Sequence, residues 1–238
     1  MKTIASTAVL VALLFLGATA SVLRAAEDDG VALAIVYDTS GSRAAQVRDG
    51  QGQLAPKYLI ATHALAAVAR RLQAFVTNST TGTPRQVRTG LYVFSDQGAK
   101  PALPFGPFNA AALQAWARDF HTPKGGTPLG NALRTAAQAT LASNLSRKHV
   151  LVLTDGESNI GPAPAVVLPE LKRQAELKQS GVSYHFIAFD VDAKVFDGIK
   201  KLGATVVGAA NETQLNTQLE FILEKKILLE AEETPKPK

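Results

Sequence analysis

The 238-residue sequence contains no cysteine. Disulfides, thiolate zinc or iron–sulfur sites, thiol nucleophiles and an acylated cysteine anchor are therefore excluded. Charge is sparse as well, at 19% of residues, and Lys+Arg 25 against Asp+Glu 20 leaves only +5. That small basic excess is spread along the chain, so nothing in it points to a nucleic-acid partner. Several catalytic signatures are missing. His63, His121, His149 and His185 stand on separate elements and form no H-E-x-x-H, so each reads as structural or exposed rather than as a zinc ligand. No G-x-S-x-G nucleophile elbow occurs. Gly125 and Gly130 have P-loop spacing, but Asn131-Ala132 stands where Lys-[Ser/Thr] is needed. Gly50 to Ala55 matches G-x-G-x-x-A, yet no strand leads straight into it, which makes it a weak dinucleotide signal.

What is present begins with an address. Ile4 to Leu23 carries no charge and holds a dense apolar stretch over Ala8–Leu16. Ala18-Thr19-Ala20 supplies an A-x-A site, so residues 1–26 are expected to be a signal peptide cleaved after Ala20, with Ala25–Ala26 as a second site. The rival expectation is an uncleaved N-terminal anchor, because about 20 apolar residues span a bilayer. Either way the globular part is expected outside the cytoplasm, secreted or periplasmic.

With 46% hydrophobic residues the remainder can bury a core. Val31–Tyr37 is a continuous apolar run that reads as a strand buried on both faces, and His149–Thr154 is a second. Leu91–Phe94 and Tyr184–Phe189 read as strands, Thr205–Val207 as a short one, and Ala102–Phe105 as an edge strand confined by Pro101 and Pro104. Between them lie helical patterns. The longest is Tyr58, Ala61, Leu65, Val68, Leu72 and Phe75, followed by short ones around Leu113–Phe120, Leu129–Leu141, Glu170–Gln179 and Phe196–Leu202, and a final one through Leu215, Leu219, Ile222 and Leu223. Asn78 to Pro84 reads as a turn-rich loop and Thr234–Lys238 as a solvated tail. No repeat and no dividing linker is visible. The expectation is a single domain over residues 27–230 with a tail over 231–238. Its class is α/β: one parallel, doubly wound sheet with helices on both faces.

An open α/β sheet binds ligands beyond the carboxyl ends of its strands. Asp38-Thr39-Ser40-Gly41-Ser42 follows the first buried strand, and Asp155-Gly156-Glu157-Ser158-Asn159 follows His149–Thr154. Gly125-Gly126-Thr127-Pro128 precedes a helix between them. These loops offer two carboxylates and three hydroxyls, all hard oxygen donors suited to Mg²⁺ or Mn²⁺. Gly41, Gly126 and Gly156 are expected to let the backbone turn tightly beside the ion.

Asp38-x-Ser40-x-Ser42, the Gly125-Gly126-Thr127-Pro128 loop and the strand ending Thr154-Asp155-Gly156 together resemble the metal-ion-dependent adhesion site (MIDAS) of the von Willebrand factor A (vWA) domain. The likeness covers roughly residues 30–227. It implies a Rossmann-like sheet ordered 3-2-1-4-5-6 with one antiparallel edge strand. It also implies that Ser40, Ser42 and Thr127 bind the metal directly while Asp38 and Asp155 act largely through water. An acidic group of a protein partner would complete the coordination, which makes the expected function cation-dependent protein binding without catalysis. Two alternatives stand beside it. One is a magnesium-dependent phosphohydrolase resembling the haloacid dehalogenase class, with Asp38 as nucleophile. Its usual acid/base, an aspartate two residues on, is Ser40 here. The other is a structural envelope scaffold with a non-functional site.

Neighbouring residues have plainer readings. Thr127 before Pro128 reads as an N-cap with proline at N1, compatible with a metal role. Glu157 is given no metal role, Ser158 and Asn159 read as loop hydrogen bonders, and Trp116 fits a helix's core face. Arg43, at a position where bacterial members of the resembled family often have Met, reads as a solvated residue, with engagement of an acidic partner as the other reading. The long Arg43–Ala55 and Asn159–Pro169 loops are the expected specificity surface, the latter stiffened by Gly161, Pro162, Pro164 and Pro169.

Overall fold

The computed structural model describes residues 27–78, 85–95 and 98–229. The expected leader, its cleavage site, most of the Asn78–Pro84 loop and the tail lie outside the described residues. Among the described residues no helix is long and apolar enough to cross a membrane.

The apolar run at the start becomes β1 (Asp28–Tyr37), in which Val31 to Tyr37 have essentially no exposure. A short 3-10 turn (Gly41–Ala44) and a hairpin of β2 (Gln46–Arg48) and β3 (Leu54–Pro56) follow. The expected Arg43–Ala55 loop is therefore largely structured, and Gly50 and Gly52 lie at the hairpin tip, away from any strand-to-helix phosphate turn. The stripe at helical spacing forms α1 (Lys57–Thr77). Then come β4 (Val87–Ser95), β5 (Gly98–Pro107), α2 (Ala110–Asp119), α3 (Leu129–Leu141) and β6 (Leu145–Thr154). The chain closes with α4 (Pro164–Leu177), β7 (Ser183–Phe189), α5 (Asp197–Lys201), β8 (Thr205–Ala209), α6 (Glu212–Ile222) and a π-helical turn (Leu223–Ile227).

Six strands form one sheet in the order β5-β4-β1-β6-β7-β8, which is 3-2-1-4-5-6 when its strands are counted along the chain. All neighbours are parallel except β4 and β5, which are antiparallel. The edge strand β5 is longer than its sequence suggests. Pro101, Pro104 and Pro107 are tolerated there because an edge leaves donors on one side unused. Strand alternation splits the core. Leu33, Ile35 and Tyr37 pack with α1 and α6, whereas Ala34 and Val36 pack with α3 and α4. Two helix starts differ from the sequence reading. α4 begins at Pro164, which takes the N1 position, and it carries exposed Pro169 inside, so the loop before it is shorter than expected. α3 begins at Leu129, with Pro128 rather than Thr127 at the cap position and no side chain capping it.

A candidate cation site at the sheet rim

Strand order reverses between β1 and β6, and their carboxyl ends open the crevice where Asp38 and Asp155 emerge. The Asp38 amide donates to Leu153 O at 3.0 Å, continuing the β1–β6 ladder by one residue. Asp38 has no exposure, and both its oxygens are engaged. Oδ1 accepts from the Ser40 amide at 2.8 Å and Oδ2 from the Thr154 hydroxyl at 2.6 Å. The Ser40 and Ser42 hydroxyls lie 3.0 Å apart, and Ser42 Oγ donates to Asp155 Oδ1 at 2.8 Å. One string of oxygens therefore runs Ser40–Ser42–Asp155, with Asp38 anchoring its base.

The loop that carries Thr127 is tied by hydrogen bonds to the loops on either side of this string. Gly41 N donates to Gly125 O at 3.0 Å and Lys124 N to Thr39 O at 2.8 Å, which staples the 124–127 segment to the loop after β1. On the other side the Thr127 amide donates to Asn159 Oδ1 at 2.7 Å, while the Asn159 amide and the Ser158 hydroxyl donate to Thr127 O. Ser158 and Asn159 are thus the hydrogen bonders expected from the sequence. The glycines divide the work differently from the sequence reading. Gly125, at φ +84°, is the residue in the left-handed region, and none of Gly41, Gly126 and Gly156 adopts it. Gly126 sits at a close approach: a Cβ there would lie 2.5 Å from Ile160 Cδ1 and 2.8 Å from Asn159 Oδ1, so those side-chain ends would have to shift.

Two buried cations border the oxygens; Arg43 was expected in solvent, and Lys57 was not singled out from the sequence. Arg43 is completely buried. Its guanidinium carbon sits 5.2 Å from the Tyr37 ring centroid and 5.6 Å from that of Phe189, and none of its nitrogens reaches a hydrogen-bond partner. The reason is the 3-10 turn, which rolls the side chain inward between the two ring faces. Lys57 is 7% exposed and bridges Asp155 Oδ2 at 3.2 Å and Asp190 Oδ2 at 2.9 Å. The signal for it lay in periodicity: Lys57 falls on the stripe of Ala61, Ala64 and Val68 that faces the core.

Burial holds the Asp38 carboxyl above its ordinary range. The Arg43 charge pulls it down and the Asp155 carboxylate pushes it up. Burial likewise raises Tyr37, whose hydroxyl donates to Tyr58 O at 3.0 Å. Beside the oxygens lies a groove of about 760 Å³ lined by Thr39, Lys100, Trp116, Phe120, Lys124 and Ile160. Trp116 packs on the core as expected, 5.2 Å edge-on from Tyr37 and 5.1 Å stacked on Phe120, but it also forms a wall of this groove.

A doubly wound sheet with one antiparallel edge, and oxygen-rich loops after its first and fourth strands, matches one family model. The von Willebrand factor type A domain model covers residues 33–221. The chain belongs to this family. vWA domains are in general non-enzymatic modules of adhesion and protein interaction. No curated protein matches the sequence. Among solved structures, a D319A mutant of the PilB minor pilin from Streptococcus sanguinis is 16% identical with a TM-score of 0.59, covering 82% of this chain and 61% of the pilin. Proximal thread matrix protein 1 from the mussel byssus, described with a zinc-occupied MIDAS motif, is 19% identical with a TM-score of 0.59, covering 82% of this chain and 48% of that one. The vWF domain of the type V pili tip protein Mfa5 from Porphyromonas gingivalis is 16% identical with a TM-score of 0.55, covering 82% of this chain and 95% of that domain. The vWA chain thus spans about three fifths of the pilin and about half of the mussel protein. At these identities the likeness establishes the fold.

Proposed function

We propose that this vWA domain is a cation-dependent protein-binding module whose site takes Mg²⁺ or Mn²⁺. Asp38, Ser40, Ser42, Thr127 and Asp155 would hold the ion. The observation that carries the reading is the oxygen string Ser40–Ser42–Asp155 across two loops, with the Thr127 loop stapled beside it. The donor set fits a hard cation, because two carboxylates and three hydroxyls satisfy the oxygen preference of Mg²⁺ and Mn²⁺. When bound, such an ion supplies an open position for a partner's carboxylate oxygen. The chain's own residues do the rest. Asp38 fixes the loop through the Ser40 amide, Thr154 orients Asp38, and Asn159 holds Thr127 in register. Lys100 and Lys124 on the groove beside the site complement an acidic partner. By the same reading the domain works in the cell envelope or outside the cell, after an N-terminal leader or from an anchor.

The phosphohydrolase alternative gains no support from the geometry. Its nucleophile, Asp38, has no exposure and both oxygens are already accepting hydrogen bonds. The experiment that tests the proposal is titration calorimetry of the domain with Mg²⁺ and Mn²⁺, paired with a pull-down from envelope extract in Mg²⁺ or EDTA. Saturable heat and partner retention lost in EDTA are expected. No specific heat with either ion would leave a structural scaffold as the better account.

A further inference from the structure

The site already contains a positive charge on one of its carboxylates. Lys57 is a nearly buried ammonium, and a buried charge persists only when paired. Its two partners differ in kind. Asp155, whose side chain has 0% exposure, belongs to the oxygen string, whereas the Asp190 side chain is 39% exposed and belongs to no other part of the site. The contact to Asp190, at 2.9 Å, is shorter than the 3.2 Å contact to Asp155. Asp190 is placed by its backbone. It is one of two non-glycine residues among those described with positive φ, at 56°, and its amide donates to Ala209 O at 2.7 Å. Aspartate tolerates that region better than most residues, so the turn after β7 can hold a carboxylate facing Lys57.

The charge balance makes this arrangement consequential. Arg43 acts on Asp38 and Lys57 sits on Asp155, so the two carboxylates of the oxygen cage each have a cation close by before any metal arrives. A divalent ion approaching Asp155 meets the ammonium at close range, in surroundings where charges are weakly screened. The lysine has a flexible four-carbon stem and rotatable donors, and it already touches an alternative seat. We propose that Lys57 is a built-in competitor for the metal at Asp155, and that Asp190 is the seat to which it withdraws when the metal binds. The pair thereby sets the ion affinity of the site. This inference rests on the reading of the site as a cation site.

Two substitutions read it in opposite directions. Lys57→Met removes the competitor while keeping the apolar stem, and Mn²⁺ affinity by calorimetry should rise at least on the order of tenfold, within the 10–100-fold range typical of groups that support metal ligands. Asp190→Asn removes the seat and leaves Lys57 on Asp155, so affinity should fall several-fold. In the double variant, Asp190→Asn should have almost no further effect, because no lysine remains to be withdrawn. A field effect of the two charges, with no exchange of partners, would instead leave the Asp190 effect undiminished in the Lys57→Met background. A second readout needs no partner protein: Lys57→Met should melt at a lower temperature than the unaltered chain in EDTA and recover in Mn²⁺. Unchanged affinity in both single variants, with Mn²⁺ still bound, overturns the competitor inference and leaves the cation site standing. Absence of Mn²⁺ binding by the folded unaltered chain and by folded Lys57→Met overturns the cation-site reading itself. Should Lys57→Met fail to fold, Asp190→Asn still decides the matter, because equal affinity there contradicts the withdrawal seat.

Discussion

At the carboxyl end of β1 and β6 the chain buries Asp38 and Asp155 with Arg43 and Lys57 close by. Toward the amino end of β6 and β7 it buries His149 and His185, stacked with centroids 5.4 Å apart and joined Nδ1 to Nε2 at 3.2 Å. Both regions hide titratable groups, with β6 common to the two, but they resolve the cost of burial differently. The lower pair is kept neutral. Burial lowers His149 to about 3, with His185 and Arg147 adding to the effect, and burial with the nearby Lys226 charge lowers His185 to about 4. At the upper, carboxyl-end rim the buried carboxylates instead have cations beside them: Lys57 bridges Asp155, and the Arg43 charge acts on Asp38. The difference teaches that burial alone does not mark function. The carboxylates stand out because cations and hydroxyls converge on them.

The comparison is broken most severely by emptying the upper rim. Asp38→Ala or Thr127→Ala should reduce Mn²⁺ affinity by at least the order of 10–100-fold, and circular dichroism should still report a folded domain. Unchanged affinity in both variants would put the ion elsewhere. Acid breaks the lower rim. The histidine pKa values are depressed in the fold, so stability is complete above the unfolded value near 6.5 and is lost as pH falls toward 4 and then 3. Each histidine withdraws about 1.4 kcal/mol per pH unit while only the unfolded chain is protonated. Asp38 responds with the opposite sign, because its raised pKa makes protonation favour the fold. Denaturant melts between pH 7 and 4 should therefore show a steep fall that flattens in a His149→Leu/His185→Leu variant. A fall of the same slope in that variant would assign acid lability elsewhere.

Smaller changes sharpen the contrast. Gly126→Ala forces a Cβ against Ile160 and Asn159 and should cost about 1–3 kcal/mol, the usual penalty of overpacking. A melting temperature equal to that of the unaltered chain would show that the stapled loops yield freely. Arg43→Met is expected to have the smallest effect on stability. It removes cation–π contacts worth about 0.5–2 kcal/mol but also a buried guanidinium without hydrogen bonds, so the net change should stay within about 1 kcal/mol. A loss of several kcal/mol would make Arg43 a structural pillar of the rim.

The sequence made much of this legible, for identifiable reasons. Val31–Tyr37 and His149–Thr154 are apolar without interruption, as strands covered on both faces must be, and the polar residues directly after them fall at the rim by topology alone. Asp38, Ser40, Ser42 and Asp155 were singled out because they follow those strands, and Thr127 because its Gly-rich loop precedes a helix. What the sequence did not show is that the Thr127 loop is tied by hydrogen bonds to two distant loops. Lys57 stayed hidden because its partner Asp155 lies 98 residues further along the chain, and a lysine at the start of a helix ordinarily reads as solvated. Arg43 was misplaced for a similar reason: a cation between two aromatic faces leaves no mark in local composition. The start of α4 was obscured by Pro164 and Pro169, which punctuate loops more often than helices.

The staples from Gly41 to Gly125 and from Lys124 to Thr39 are made entirely by peptide groups. Their integrity is therefore indifferent to which side chains decorate the surrounding surface. Lys100, Lys124 or Ile160 can drift, or be redesigned, without disturbing the relative positions of the joined loops. The loop framework and the surface around it can thus vary independently of each other.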